Sequence, residues 1–166
     1  MNNNTQTNIT VAARSSPLSR VQVDEVYHEL LQFHPDVTFS VQWLKTTGDK
    51  DKMTSLRNLD KTNFFTKEVD DLILSSQCRI GIHSAKDLPD PLAAGLSIVA
   101  ITQGLDNSDV LVLRSDDTLE SLATGAKVAT SSVRREENVR LMREDFVFVD
   151  IRGTIGERLD KLFNGH

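Results

Sequence analysis

The chain has 166 residues, a formal net charge of −5, and 39% hydrophobic against 26% charged residues. That is enough apolar chain to bury a core, which excludes a disordered protein and sets one domain or two small ones as the expectation. The acidic balance argues against a nucleic-acid partner held by a global positive field, and the single cysteine, Cys78, excludes an internal disulfide framework and fits a reducing compartment, the cytoplasm.

Met1 to Asn8 is a polar run without the basic start and apolar stretch of a secretory signal. No later segment approaches the roughly 18 apolar residues of a membrane span, so no membrane partner is expected. Ile9–Ala13 reads as a strand, and Leu18, Val21, Val26, Leu30 and Leu31 then recur at helical spacing. Ser16 suits the N-cap and Pro17 the first helical position, with an end near Phe33 because His34 precedes Pro35. Val37–Leu44 alternates as a second strand, and the polar stretch from Lys45 to about Asn63 is expected to be a long mobile loop.

Thr66 can cap a helix running to about Ser75, with Glu68, Asp70 and Asp71 in its first turns, and Arg79–His83 is a third strand. Leu96–Thr102 reads as another strand, and Gln103–Ser108 as the crossover between a first domain, residues 8–103, and part of a second, residues 104–166. Val110–Leu113, Ala126–Ala129 and Phe146–Ile151 are further strands, separated by a short helix at Leu119–Leu122 and a longer one from about Val133 to Met142. A last helix starts after Gly153. Strands alternating with helices predict a largely parallel, layered α/β architecture.

Three strand-to-helix junctions carry arginine: Arg14-Ser15-Ser16-Pro17, Thr130-Ser131-Ser132-Val133-Arg134-Arg135, and Ile151-Arg152-Gly153-Thr154-Ile155-Gly156-Glu157-Arg158. The helix dipole disfavours cations in a first turn, so arginines there ask for an anion. Free N–H groups, a hydroxyl and guanidinium forks together make a carboxylate or phosphate site. The plainer alternative is ordinary caps, with the arginines paired to Glu136, Glu137, Asp150 or Glu157.

Ile80-Gly81-Ile82-His83-Ser84-Ala85-Lys86-Asp87-Leu88-Pro89 brings His, Ser, Lys and Asp to a strand's C-terminal end, where open α/β sheets place their chemistry. Asp87 can stabilise a developing cation or exchange protons, and Lys86 can hold a substrate carboxylate. The alternative is a turn in which Asp87 bonds backbone N–H groups ahead of Pro89. His83, Ser84 and Asp87 are too close in sequence for a relay triad, and the four histidines and one cysteine show no metal-ligand spacing, so no metal is expected. Cys78 reads as a structural thiol rather than a nucleophile.

In this order the motifs resemble those of the porphobilinogen deaminase family from Ile9 to Leu162. Ala13-Arg14-Ser15-Ser16-Pro17-Leu18 is similar to its first active-site loop, Thr46-Thr47-Gly48-Asp49-Lys50 to its mobile-loop start, Phe65-Thr66-Lys67-Glu68 to the helix that follows, and His83-Ser84-Ala85-Lys86-Asp87-Leu88-Pro89 to its HSxKDxP signature. Ala129 stands where the family usually has glycine, and Lys61 is shifted by one position relative to Phe65.

The resemblance implies three domains, the first two layered like periplasmic binding proteins with the active site between them, and a dipyrromethane cofactor linked to a cysteine of the third. It also implies a monomeric enzyme acting on porphobilinogen and a growing oligopyrrole. Asp87 would be catalytic; Lys86, Ser132, Arg134, Arg135 and Arg152 would bind the cofactor; Arg14, Ser16 and Arg158 would bind substrate. Cys78 matches no cofactor cysteine, so the 166 residues are expected to read as a fragment lacking the covalent attachment site, with an incomplete second domain, open apolar surface and little turnover alone. A non-catalytic organic-anion-binding module is the alternative from a different class.

Overall fold

The computed structural model describes residues 6–58, 62–106 and 108–165. The chain divides into two compact units, one built from Met1–Asp51 and Lys61–Gln103, the other from Lys52–Asp60 and Gly104–His166.

In the first unit, Thr7–Arg14 (β1) buries Val11, Ala12 and Ala13 completely. Successive strand residues point to opposite faces, so this run of three means that β1 is covered on both sides. Ser16 caps Pro17–Leu31 (α1): its Oγ accepts the Ser19 N–H at 3.2 Å, and Pro17 takes the first turn, where no amide hydrogen is needed. Val37–Leu44 (β2) pairs parallel with β1 from Thr7↔Val37 to Arg14↔Leu44. Tyr27 of α1 packs on Phe39 of β2 at 4.8 Å between ring centroids, which fixes the face that α1 covers.

Lys67–Leu74 (α3) then leads to Ile80–Ile82 (β3), parallel to β1 on its other edge. Between β2 and α3 lie a one-turn helix, Thr47–Lys50 (α2), and a 3₁₀ turn at Leu56–Asn58. The sheet order is therefore β2-β1-β3 with β1 in the middle. Right-handed crossovers put α1 and α3 on opposite faces of such a sheet. On the α3 face Ala12, Val69 and Cys78 form the buried centre, with Leu44, Leu72 and Ile73 packed against it.

In the second unit Lys127–Ala129 (β4) and Val147–Val149 (β5) pair in parallel, joined by Val133–Met142 (α4) and followed by Ile155–Phe163 (α5). Arg143, just past α4, donates to the carbonyls of Leu119 and Leu122 at 2.8 and 3.0 Å, pairs with Asp145 at 2.6 Å and lies over the Phe146 ring. One guanidinium thus satisfies carbonyls of an irregular stretch that no strand reaches.

Both sheets are parallel and linked by helices, so the expected mixed α/β class is what forms. Four stretches differ. Leu96–Thr102 and Val110–Leu113 carry no strand, because a ladder needs a neighbour and neither finds one among the described residues; Ile98, Val99, Ile101 and Val110 stay exposed. Leu119–Leu122 is a turn, in which Thr118 and Ser121 exchange side-chain-to-backbone hydrogen bonds at 2.8 and 3.1 Å in place of a helix. The stretch after Lys45 is not a featureless loop, since it holds α2 and the 3₁₀ turn. Lys61 lies outside the described residues.

Candidate functional site

Three neighbouring parallel strands deliver charged groups at their C-terminal ends. β1 ends in Arg14, Asp49 sits in α2 just after β2, and Asp87 closes the 3₁₀ turn Ala85–Asp87 just after β3. Arg14 takes both carboxylates: its Nη1 donates to Asp87 Oδ2 at 3.2 Å, its Nε to Asp49 Oδ2 at 3.2 Å, and its Nη2 to Asp49 Oδ1. The same guanidinium stacks on Phe65, 4.5 Å from the ring centroid. The strand order reverses at β1, the position where open α/β sheets leave a crevice for ligands.

Asp49 also accepts the Thr46 N–H at 3.0 Å and the Thr46 hydroxyl at 2.9 Å, closing a capping box. Burial works to raise the Asp49 pKa. The hydrogen bonds from Arg14 and Thr46 and the Arg14 charge outweigh it and hold the carboxyl below its ordinary value. Gly48 makes room for this: a Cβ there would lie 2.3 Å from Phe65 Cε1 and 2.9 Å from Phe64 Cδ1.

Asp87 is half-buried and Lys86 beside it is exposed. Ser84 Oγ and the Gln22 amide exchange hydrogen bonds at 2.8 and 3.0 Å, tying the end of β3 to α1. Ser16 spends its acceptor on the α1 cap, which leaves its hydroxyl hydrogen to donate. His83 is partly buried with its Nε2 4.0 Å from Asp70, and burial pushes its pKa down against the charges of Asp70 and Asp87. Asp49, Phe65 and Gln22 are the partners that the sequence motifs did not single out as site residues.

In the second unit, Ser132 Oγ accepts the Arg135 N–H at 3.4 Å as the cap of α4. Arg134 and Arg135 do not pair with Glu136 or Glu137. Both turn to Asp109: Arg135 Nη2 and Nε lie 2.8 and 2.9 Å from Oδ1, and Arg134 Nη2 lies 3.4 Å from Oδ2. Thr154 and Glu157 form the capping box of α5, the Glu157 N–H donating to Thr154 Oγ1 at 3.3 Å and the Thr154 N–H to Glu157 Oε2 at 2.7 Å.

Arg158 donates from Nε to the Gly153 carbonyl at 2.9 Å, and its pKa is lowered by burial and by the neighbouring charges of Arg135 and Arg152, with Asp150 opposing. The charges of Arg135 and Arg152 thus both act on Arg158, with the Asp150 carboxylate against them. The 52–58 segment packs here too: Arg152 Nη1 donates to the Thr54 carbonyl at 2.6 Å, Arg57 pairs with Glu136 at 2.8 Å and donates to the Thr130 carbonyl at 3.1 Å, and Lys52 pairs with Glu157.

Cys78 is 2% exposed and burial raises its pKa, the setting of a structural thiol. Among the described residues no group of three or more His, Cys, Asp and Glu side chains could hold a metal.

What fold and site define together is a parallel α/β protein that gathers arginines and carboxylates at its strand ends and helix starts. The family model described as "Porphobilinogen deaminase, dipyromethane cofactor binding domain" matches residues 9–166. The porphobilinogen deaminase of Chloroherpeton thalassium is 36% identical over 157 residues, covering 95% of this chain and 50% of that protein. A probable porphobilinogen deaminase of Chlamydia pneumoniae is 37% identical, over 95% of this chain and 67% of that one, and a Synechococcus porphobilinogen deaminase is 38% identical, over 95% and 51%. The chain belongs to the porphobilinogen deaminase family and spans about half the length of most of these curated relatives.

Proposed function

We propose that this chain provides the first part of a hydroxymethylbilane synthase, a transferase that releases ammonia from porphobilinogen and joins four of the pyrroles into a linear tetrapyrrole. The carrying observation is Arg14 held between Asp49 and Asp87 at the ends of three adjacent strands. Loss of ammonia leaves positive charge on the pyrrole, and Asp87, half-buried and already oriented by a cation, stabilises that charge without reorganising. Lys86, Arg14 and the Ser16 hydroxyl bind the acetate and propionate groups of the incoming pyrrole.

Ser132, Arg134, Arg135, Arg152 and Arg158 hold further carboxylates. Burial, then the charges of Arg135 and Arg152, lower the Arg158 pKa, and the repulsive part supports this reading, since each added carboxylate relieves it. When bound there, the dipyrromethane cofactor supplies the anchor on which the chain grows. The β2-β1-β3 order supports layering like that of periplasmic binding proteins. Residues 8–103 as one domain and 104–166 as part of the next, a monomer, and a cytoplasmic setting complete the reading.

The test is a chimera that joins residues 9–166 to the second half of the Chloroherpeton thalassium protein, assayed for ammonia release from porphobilinogen. Turnover is expected, falling by a factor of about 100 or more in Asp87→Asn, the scale for losing an electrostatic stabiliser of a developing charge. A folded chimera without turnover, or an Asp87→Asn variant as fast as its parent, overturns the assignment.

A further inference from the structure

Arg134 and Arg135 are consecutive on α4, and consecutive helical residues point about 100° apart, so their guanidiniums do not converge unless something draws them together. Asp109 does so, with one carboxylate oxygen on Arg135 and the other on Arg134. That bridge has the form an incoming carboxylate would take on the same two side chains. It is also open to replacement: 77% of the Arg134 side chain, 43% of Arg135 and 35% of Asp109 are exposed.

We propose that Asp109 is a built-in carboxylate that a ligand must replace, and that it sets an affinity threshold on the arginine pair which a monocarboxylate does not clear and a polycarboxylate does. The inference rests on the anion-binding reading of the α4 and α5 starts given above. A ligand with one carboxylate exchanges that group for the Asp109 carboxylate on the arginine pair and gains almost nothing. A ligand with a second carboxylate makes the same exchange and also reaches Arg158 and Arg152, whose positive charges already act on one another. Its surplus affinity comes from those contacts.

Calorimetric titration of the 166-residue chain with acetate and with succinate, in the wild type and in Asp109→Asn, tests this. The wild type binds succinate at least about 10-fold more tightly than acetate. Asn keeps the shape and removes the charge, so acetate and succinate binding both tighten about 3- to 10-fold, the range for removing a partly exposed competing ion pair, and the succinate-to-acetate ratio stays as it was. A gain of affinity is a readout that loss of structure does not produce, and thermal unfolding of Asp109→Asn checks its fold. Acetate binding that is unchanged or weaker in a folded Asp109→Asn overturns the proposal and leaves the anion-site reading standing. If Arg135→Gln leaves succinate binding intact, the anion site itself is wrong, and this inference falls with it.

Discussion

Arg14 and Asp87 meet at 3.2 Å across 73 positions of sequence because Arg14 ends β1 and Asp87 closes the turn just after β3, its hydrogen-bonded parallel neighbour. The contact is a product of register: Ala13 pairs with Ile82, so the end of β1 and the turn after β3 lie side by side. Arg14→Gln removes the cation shared by Asp87 and Asp49. Asp49 then keeps its burial without its main counterweight, and its carboxyl pKa climbs. We expect a loss of about 1–2 kcal/mol in denaturant unfolding, reduced from the fully buried case by partial solvent access, together with an upward shift of the Asp49 titration followed by NMR.

Gly48→Ala tests the packing under that cation. The new Cβ collides with Phe65, the ring on which Arg14 stacks, so Phe65 must move. The expected cost is about 1–3 kcal/mol, as for an overpacked core position, and a melting curve measures it. In the chimera described above, the same substitution lowers turnover, because Arg14 loses its platform.

The α5 cap gives stability a pH dependence of known sign. Hydrogen bonding from Lys52, then from the Thr154 N–H, lowers the Glu157 pKa to about 2. A depressed carboxyl contributes stability above its unfolded value of ~4.3 and loses it as pH falls toward the folded value. Urea midpoints of the wild type should therefore fall between pH ~4.3 and about 2, and those of Glu157→Gln should fall less. Thr154→Ala, which removes the hydroxyl side of the box, costs about 1 kcal/mol at neutral pH.

Cys78 supplies a probe of opening. With 2% exposure and a raised pKa, the thiol should react with a disulfide reagent only as fast as the first unit opens. Immediate labelling in native buffer would contradict the α3-face packing of Ala12, Val69 and Cys78.

Local signals made much of this fold legible. Ser16-Pro17 marks the start of α1, the alternation of Val37, Phe39, Val41 and Trp43 marks β2, and Thr154 with Glu157 marks α5; each needs only neighbours within a few positions. Pairing is a different matter. Leu96–Thr102 and Val110–Leu113 have the composition of strands, yet a strand is a relation between two segments, and composition does not reveal that neither finds a partner among the described residues.

The site shows the same division. Asp87 stood out at a strand end, whereas Asp49 joined it only once β1 and β2 were in register, and Asp109 carried no motif at all. α2 was hidden because its capping box ends in Asp49 rather than the more usual glutamate, within a run too polar to suggest a helix.

The stretch Lys52–Asp60 groups with the second unit although the chain on either side of it belongs to the first. Gene surgery at codon 103 therefore does not yield a self-sufficient module. A polypeptide stopped there keeps Lys52 and Arg57 after Glu157 and Glu136 have gone, two cations whose counterions were left on the discarded piece. The second unit is discontinuous in the gene, and exchanging it among relatives means transplanting two separate stretches together.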